Sequence, residues 1–288
     1  VVLKEAIDSN LDIVDVGVAG TAFRFLTAFY AIQSNEVILK GDARMNERPI
    51  GALVDALVEL GAEITYLDKT GFPPIRINAR HCLNREIKIN ASISSQFISA
   101  LLLIAPYCEN GLHIELQGEI VSEPYVIMTL NLMQQLGVES KIEGNKIRIE
   151  ASEYSSCAPI IVESDWSSAA FFYQYFACSR LNTIELSRLQ LDSIQGDSRL
   201  ARIYLDFGVK TVETESGVVL IKELNKNKHL ELNLIDTPDL IPSIAVASSI
   251  LKEKVIIHGT KTLKIKESNR IEALHIELRK IGAELVEL

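Results

Sequence analysis

Four times along the chain an amphipathic run closes on a glycine: "ALVDALVELGAEI", "TLNLMQQLGVES", "ARIYLDFGVKTV" and "ALHIELRKIGAEL". The glycines are Gly61, Gly137, Gly208 and Gly282, at intervals of 76, 71 and 74 residues. Each stands where a helix C-cap takes the left-handed conformation that glycine adopts without steric penalty. A second series runs between them, "GTAFRFLTAFYAI", "SSQFISALLLIAPY", "SSAAFFYQYFACS" and "LIPSIAVASSIL", with starts at Gly20, Ser94, Ser167 and Leu240 spaced 74, 73 and 73 residues apart. Two series in step predict one repeated unit: an apolar helix, a strand, a glycine-stopped amphipathic helix and more strands. A helix apolar nearly all round, such as "SAAFFYQYFACS", has to be covered on all sides, whereas the glycine-stopped helices carry charge on one face. Each unit therefore has an inner and an outer helix, and the fold class is α/β.

A chain of 288 residues exceeds what one hydrophobic core usually serves, so two domains are expected. The boundary is placed at the polar "EYSSCAP" and a strand "IIVES" before Asp165, giving residues 1–163 and 164–288. Hydrophobic residues at 48% and charged residues at 23% are those of a packed globular protein. The net charge of −9 repels polyphosphate, and without a basic stripe it excludes nucleic acid as the partner. Any anionic ligand must be held by a few placed cations. Cys82, Cys108, Cys157 and Cys178 lie far apart, which signals neither a zinc site nor a disulfide framework and is read as buried reduced thiols with no metal. Residues 90–108 lack charge, yet their apolar part is only "FISALLLIAPY", a buried helix rather than a membrane span. The start "VVLKEAIDSN" carries no charged-then-apolar leader, from which no signal or transit peptide and a bacterial cytoplasmic location are expected.

Helix N-termini expose unpaired N–H groups and partial positive charge, so several that converge make an anion site even in an acidic protein. The turn "GVAGT" opens the first of them at Gly20 and Thr21. It matches neither G-x-x-x-x-G-K-[ST] nor G-x-G-x-x-G, and from spacing alone it is either a phosphate turn or a structural corner. "GDARMNERPI" places Arg44 and Arg48 just before Pro49, a favoured first helical residue; guanidinium forks match phosphate and carboxylate oxygens. Arg44 is assigned to the ligand and Arg48 to structure. Ser94, Ser95 and Gln96 stand at the mouth of an apolar helix, where they cap it or bind ligand oxygens. Ser122 and Tyr125 repeat the theme around Pro124. In "LKIKESNRIEAL" the residues Lys264, Lys266, Glu267 and Arg270 precede a helix, and a lysine beside a carboxylate and an arginine suits proton transfer next to a bound anion.

Taken together, "GVAGTAFR", "GDARMNERPI", "SSQFISALLL", "SEPY", "DWSSAAFF", "QGDS", "TPDLIPSIAVA" and "LKIKESNRIEALHIELRKIGAEL" resemble the 5-enolpyruvylshikimate-3-phosphate synthases over nearly the whole chain. The resemblance implies a two-domain, inside-out α/β barrel built from repeated βαβαββ units, with helix N-termini facing a cleft that closes on substrate. It implies transfer of the enolpyruvyl group of phosphoenolpyruvate to the 5-hydroxyl of shikimate 3-phosphate with release of phosphate, without metal or organic cofactor. Gly20 and Thr21 are implied to line the phosphoenolpyruvate pocket, with Arg44, Arg270 and Gln96. Ser94, Ser95, Ser122 and Tyr125 match positions that hold shikimate 3-phosphate, and Asp239 matches the carboxylate near its reacting hydroxyl. Asp239, Lys266 and Glu267 are the implied proton-transfer groups.

The chain departs from the family at Val18, where Asn is usual, and near Thr262. The family also carries a preceding segment with a Lys-Ser pair and an Arg, and a following one with an Arg and a Lys; without them weak or no catalysis is expected of this chain. A monomer acting on small molecules, without nucleic acid or membrane, is the expected state. Two alternatives stay open at this point: a UDP-N-acetylglucosamine enolpyruvyl transferase, for which Cys82 is the candidate reactive thiol, and a non-catalytic anion-binding scaffold.

Overall fold

The computed structural model describes residues 2–8, 11–33, 35–78, 85–155, 159–223 and 229–287. It divides into two compact units, Val1–Ala158 and Pro159–Leu288. Cys82 and Cys157 lie outside the described residues.

The first unit opens with helix α1 (Val2–Asp8) and then runs β1 (Ile13–Asp15), α2 (Gly20–Ala31), β2 (Glu36–Lys40), α3 (Gly51–Glu59), β3 (Glu63–Tyr66) and β4 (Ile75–Asn78). The sheet order is β1-β2-β4-β3, with β1 parallel to β2 and the other pairs antiparallel. The next stretch repeats it: β5 (Glu86–Asn90), α4 (Ser95–Ile104), β6 (Leu112–Gln117), α5 (Glu123–Gln135), β7 (Ser140–Glu143) and β8 (Lys146–Ile149), in the order β5-β6-β8-β7 with the same parallel and antiparallel pairs. Ile13 faces Ile38 and Ile87 faces Ile114, so the two copies align in register as well as in order. Both are β-α-β-α-β-β.

Strand alternation turns one face of each sheet inward: Ile75 and Ile77 of β4 are buried while Arg76 and Asn78 are exposed. Against that face sit Phe23 and Leu26 of α2, Leu53 and Leu57 of α3, and Phe97, Ile98 and Leu101 of α4. The helix read from "FISALLLIAPY" is thus α4, with buried residues through most of its length. A polar pair joins its neighbour, Ser99 Oγ and Thr129 Oγ1 at 2.8 Å.

The second unit contains α6 (Trp166–Cys178), β9 (Thr183–Ser187), α7 (Leu200–Leu205), β10 (Val209–Thr214) and β11 (Gly217–Lys222), its antiparallel sheet ordered β10-β11-β9. Then follow β12 (His229–Asn233), α8 (Ile241–Leu251), β13 (Lys254–His258) and α9 (Arg270–Lys280), with β12 parallel to β13. A row of aromatic rings fills this core, Trp166 to Tyr173 to Tyr204 to Phe207, with centroids 6.2, 5.5 and 5.3 Å apart.

All four glycine stops take the left-handed conformation, with φ of +110°, +85°, +77° and +78° for Gly61, Gly137, Gly208 and Gly282. Three expectations are corrected. "IIVES" is not a strand: Ser164 N–H donates to Arg188 O just past β9, and β-propensity without a ladder leaves Ile160, Ile161 and Val162 exposed. Helix α6 is not covered on all sides, since Phe171, Phe172 and Tyr175 are exposed. Cys108 is disulfide-bonded and not a reduced thiol; separation along the chain says nothing of separation in space. Cys178 is free.

Two outcomes follow. An added Cβ at Gly137 meets Ser155 Oγ, while at Gly282 it meets nothing within 4 Å; both residues have positive φ. Urea unfolding should show Gly282→Ala costing about 1 kcal/mol from the left-handed backbone alone and Gly137→Ala costing more. Tyr173, buried and within 2.8 Å of Thr211 Oγ1, has its phenol pushed up from 10.0 to about 12 by burial, against a smaller lowering by that hydrogen bond. The folded state then holds its proton more tightly than the unfolded chain, so this stabilisation is complete below pH 10 and lost as pH rises through about 12. Tyr173→Phe should flatten that alkaline loss in chemical unfolding curves.

Candidate active site

Helix α2 begins without a side-chain cap: Ala19 has no side-chain acceptor to offer its first turn. The backbone N–H groups of an uncapped first turn point outward with partial positive charge. The loop after β2 folds against this turn, Asp42 N–H donating to Gly17 O at 3.1 Å and Asp42 Oδ1 accepting from Met45 N–H at 2.7 Å. That loop brings Arg48, 5% exposed, so close to Gly20 that a Cβ there would overlap its guanidinium. Arg24, 4% exposed, folds back from the same helix, its Nη1 donating to Gly20 O at 2.8 Å and its guanidinium lying over the Phe97 ring. Two buried guanidiniums thus flank the start of α2. Arg44 stands at the head of the turn Met45–Glu47 and forms an ion pair with Glu47 at 2.6 Å.

The neighbouring helix begins with Ser94 in extended conformation, its Oγ accepting from Gln96 N–H at 3.3 Å, so the capping reading of Ser94 holds. Gln96 Nε2 then donates to Thr21 Oγ1 at 3.0 Å. One hydrogen bond thereby ties the starts of α2 and α4, residues 75 apart in sequence. Ser95 is buried. Ser122 occupies the left-handed N-cap of α5, ahead of Pro124, with no side-chain cap bond, and Tyr125 one turn on gives its carbonyl to Thr129 Oγ1 at 2.9 Å. Helix α4 packs against both α2 and α5 within the first unit, bonded to α2 through Gln96 and Thr21 and to α5 through Ser99 and Thr129.

In the second unit Asp239, in the turn Pro238–Leu240, meets two cations: Arg270 Nη1 at 2.6 Å and Lys266 Nζ at 3.4 Å. Arg270 Nη2 also contacts Glu267 at 2.8 Å. Lys266, Asp239, Arg270 and Glu267 form a chain of alternating charge, and the first three side chains are only 22 to 28% exposed. Low exposure strengthens such contacts relative to ordinary surface pairs. Lys264 lies apart, paired with Glu287. Two of the four, Asp239 and Arg270, line a cavity of about 630 Å³, together with Ser167 and Ser168 at the start of α6 and Phe171 and Leu274 on its apolar side.

The structure adds Arg24, Ser167 and Ser168 to the candidates. Arg24 was legible as the one charge inside "GTAFRFLTAFYAI"; the two serines looked like the ordinary opening of a helix. Thr262 is buried and Val18 exposed. Among the described residues no group of three or more His, Cys, Asp and Glu is placed to hold a metal ion, and no helix is long and apolar enough to cross a membrane.

Comparison with known proteins places the chain in a family. The family described as EPSP synthase (3-phosphoshikimate 1-carboxyvinyltransferase) matches residues 3–288. A 3-phosphoshikimate 1-carboxyvinyltransferase of Bacteroides fragilis is 42% identical over 282 residues, covering 98% of this chain and 68% of the relative. One of the same description from Marinomonas is 36% identical, covering 94% and 64%. The solved EPSP synthase of Acinetobacter baumannii superimposes with a TM-score of 0.71 at 22% identity, covering 92% of this chain and 61% of that one, which shows the same repeated α/β fold. The chain spans about two thirds of the length of the curated relatives it matches.

The crowding at Gly20 gives a test. A Cβ there would overlap Arg48 Nη1 and come within 2.6 Å of Arg24 Nη1, both in buried side chains, while one at Gly51 first meets an atom at 3.5 Å. In thermal or urea unfolding, Gly20→Ala should cost about 1–3 kcal/mol, and Gly51→Ala should be neutral or slightly stabilising.

Proposed function

From the premise that this chain belongs to the EPSP synthase family of transferases, we propose that it takes shikimate 3-phosphate and phosphoenolpyruvate as substrates and transfers the enolpyruvyl group to the 5-hydroxyl. One observation carries the assignment to particular residues: the alternating quartet Lys266, Asp239, Arg270 and Glu267, of which Asp239 and Arg270 line a cavity. Addition to a vinyl phosphate needs a base for the hydroxyl, an acid for the carbon that becomes a methyl group, and fixed cations for the anions. The quartet contains each of these.

In the proposed sequence the hydroxyl oxygen adds to C2 of phosphoenolpyruvate and gives its proton to Asp239, while C3 receives a proton from Lys266 or Glu267. The tetrahedral intermediate then expels phosphate as C3 loses a proton, which yields the enol ether. Arg270 is held 2.6 Å from Asp239 and 2.8 Å from Glu267, and it is the cation assigned to the phosphoenolpyruvate anion. The first unit supplies the other anion-holding groups: Gly20 and Thr21 at an uncapped helix start, Arg44 once it exchanges Glu47 for the ligand, and Gln96, already bonded to Thr21. Ser94, Ser95, Ser122 and Tyr125, at adjoining helix starts, are assigned to the phosphate and ring of shikimate 3-phosphate. We further assign the chain to the cytoplasm and to a monomeric state, and residues 1–163 and 164–288 to the two enolpyruvyl-transferase domains.

Isothermal titration with shikimate 3-phosphate, followed by phosphate release with both substrates, tests the reading. Binding and weak release are expected from the chain, and Asp239→Asn and Lys266→Met should each slow that release about a hundredfold or more with shikimate 3-phosphate affinity changed only a few-fold. Absence of binding would leave a scaffold, and unchanged turnover in either variant would remove that residue's role.

A further inference from the structure

The apolar helices open in chemically different ways. The first turn of α2 has no side-chain cap and that of α4 has one bond, from Gln96 N–H to Ser94. In α6 the opening N–H groups are taken: Trp166 N–H by Gln195 Oε1 at 2.9 Å, Ser167 and Ser168 N–H by the Asp165 carboxylate at 3.0 and 3.2 Å, and Ala169 N–H by Asp165 O at 3.0 Å. An anion gains nothing at such a terminus, because the donors that would hold it are spent.

The hydroxyls are committed too. Ser167 Oγ–H donates to Asp197 Oδ2 at 2.5 Å, and Ser168 Oγ–H donates to Asp165 Oδ2 at 2.5 Å. Asp197 is 1% exposed, and the segment that carries it is pinned next door, where Gln195 Nε2 donates to Ser164 O at 2.9 Å and Gln195 N–H to Ser193 Oγ at 3.0 Å. Each serine has one proton and two lone pairs. With the proton drawn toward a carboxylate, what remains for the cavity that both serines line is oxygen that can only accept, and donation to a carboxylate strengthens that acceptor further. Asp239 adds a third acceptor to the same cavity. A ligand group that meets this wall must bring donors. The cations Lys266 and Arg270, both on Asp239, disfavour an ammonium, and a neutral hydroxyl satisfies both conditions.

We propose that Ser167 and Ser168 read the ring hydroxyls of the substrate as hydrogen-bond acceptors, and that Asp197 and Asp165 are positioning residues that fix the polarity of those serines. The inference rests on the function proposed above and names the part of the substrate that this cavity wall recognises. It makes the "QGDS" segment a device for orienting a side chain on another element.

The test is titration of the 288-residue chain with shikimate 3-phosphate and with its 4-deoxy and 5-deoxy analogues. Ser167→Ala and Ser168→Ala, checked for folding by circular dichroism, should each weaken shikimate 3-phosphate about five- to tenfold, as loss of one hydrogen bond requires. Each should leave the analogue that lacks the hydroxyl it reads within about twofold. Asp197→Asn should show the Ser167→Ala pattern in weaker form, because an amide can donate as well as accept. Equal losses for all three ligands mean a purely structural role and overturn the inference, as does no loss at all. A wild-type chain that binds shikimate 3-phosphate while the variants behave identically sinks the inference alone; a wild-type chain that does not bind it sinks the functional reading as well.

Discussion

A parallel strand pair cannot be closed by a hairpin; the chain has to cross over, and a helix is the usual bridge. That requirement organises the molecule. β1 pairs with β2, β5 with β6 and β12 with β13 in parallel, and the bridging helices α2, α4 and α8 each start just past the carboxyl end of the first strand of the pair. In α/β architectures ligands settle at that end of the strands. Gly20, Thr21, Ser94, Ser95, Gln96 and Asp239 all fall in these connections or at the helix starts they lead into. These six candidates are where the crossover puts them, Arg44, Ser122, Tyr125, Lys266, Glu267 and Arg270 follow the second strand of each parallel pair, and the antiparallel strands β3, β4, β7 and β8 complete the sheets without contributing one.

The acidic balance of the chain sits beside local concentrations of positive charge. Arg24 and Arg48 are buried at the start of α2 in a molecule of net charge −9. Burying cations is costly unless the surroundings compensate them, and the carbonyl of Gly20 and the face of Phe97 supply part of that compensation. The second unit solves the problem by alternation, Asp239 between Lys266 and Arg270, and Arg270 between Asp239 and Glu267. Both arrangements keep cations in place without a positive surface, which is how a protein of this charge can hold an anionic ligand.

The repeat was legible in the sequence because it rests on local rules. A helix that must stop where another strand begins needs a left-handed residue, and Gly61, Gly137, Gly208 and Gly282 announce it at nearly constant intervals. The helix starts were legible for the same reason, as were Lys266, Glu267 and Arg270, which share one short motif. What stayed hidden depends on distant partners. "IIVES" has strand composition yet no ladder to join, Cys108 is paired by spatial proximity, and Ser167 gains its character from Asp197, 30 residues further on. Arg48 looked structural beside Arg44, yet only the fold shows it pressed against Gly20.

Helix α6 is the element that departs most from the balance of the others. Its buried side carries Trp166, Tyr173 and Phe176, but Phe171, Phe172 and Tyr175 stand in water at 58, 50 and 59% exposure. Large apolar side chains in such a stripe are penalised most by salts that strengthen water's exclusion of hydrocarbon. Sulfate or phosphate will accordingly tighten the folded cores while penalising this stretch of one turn and a half, so the same salts that stabilise the fold favour association through α6.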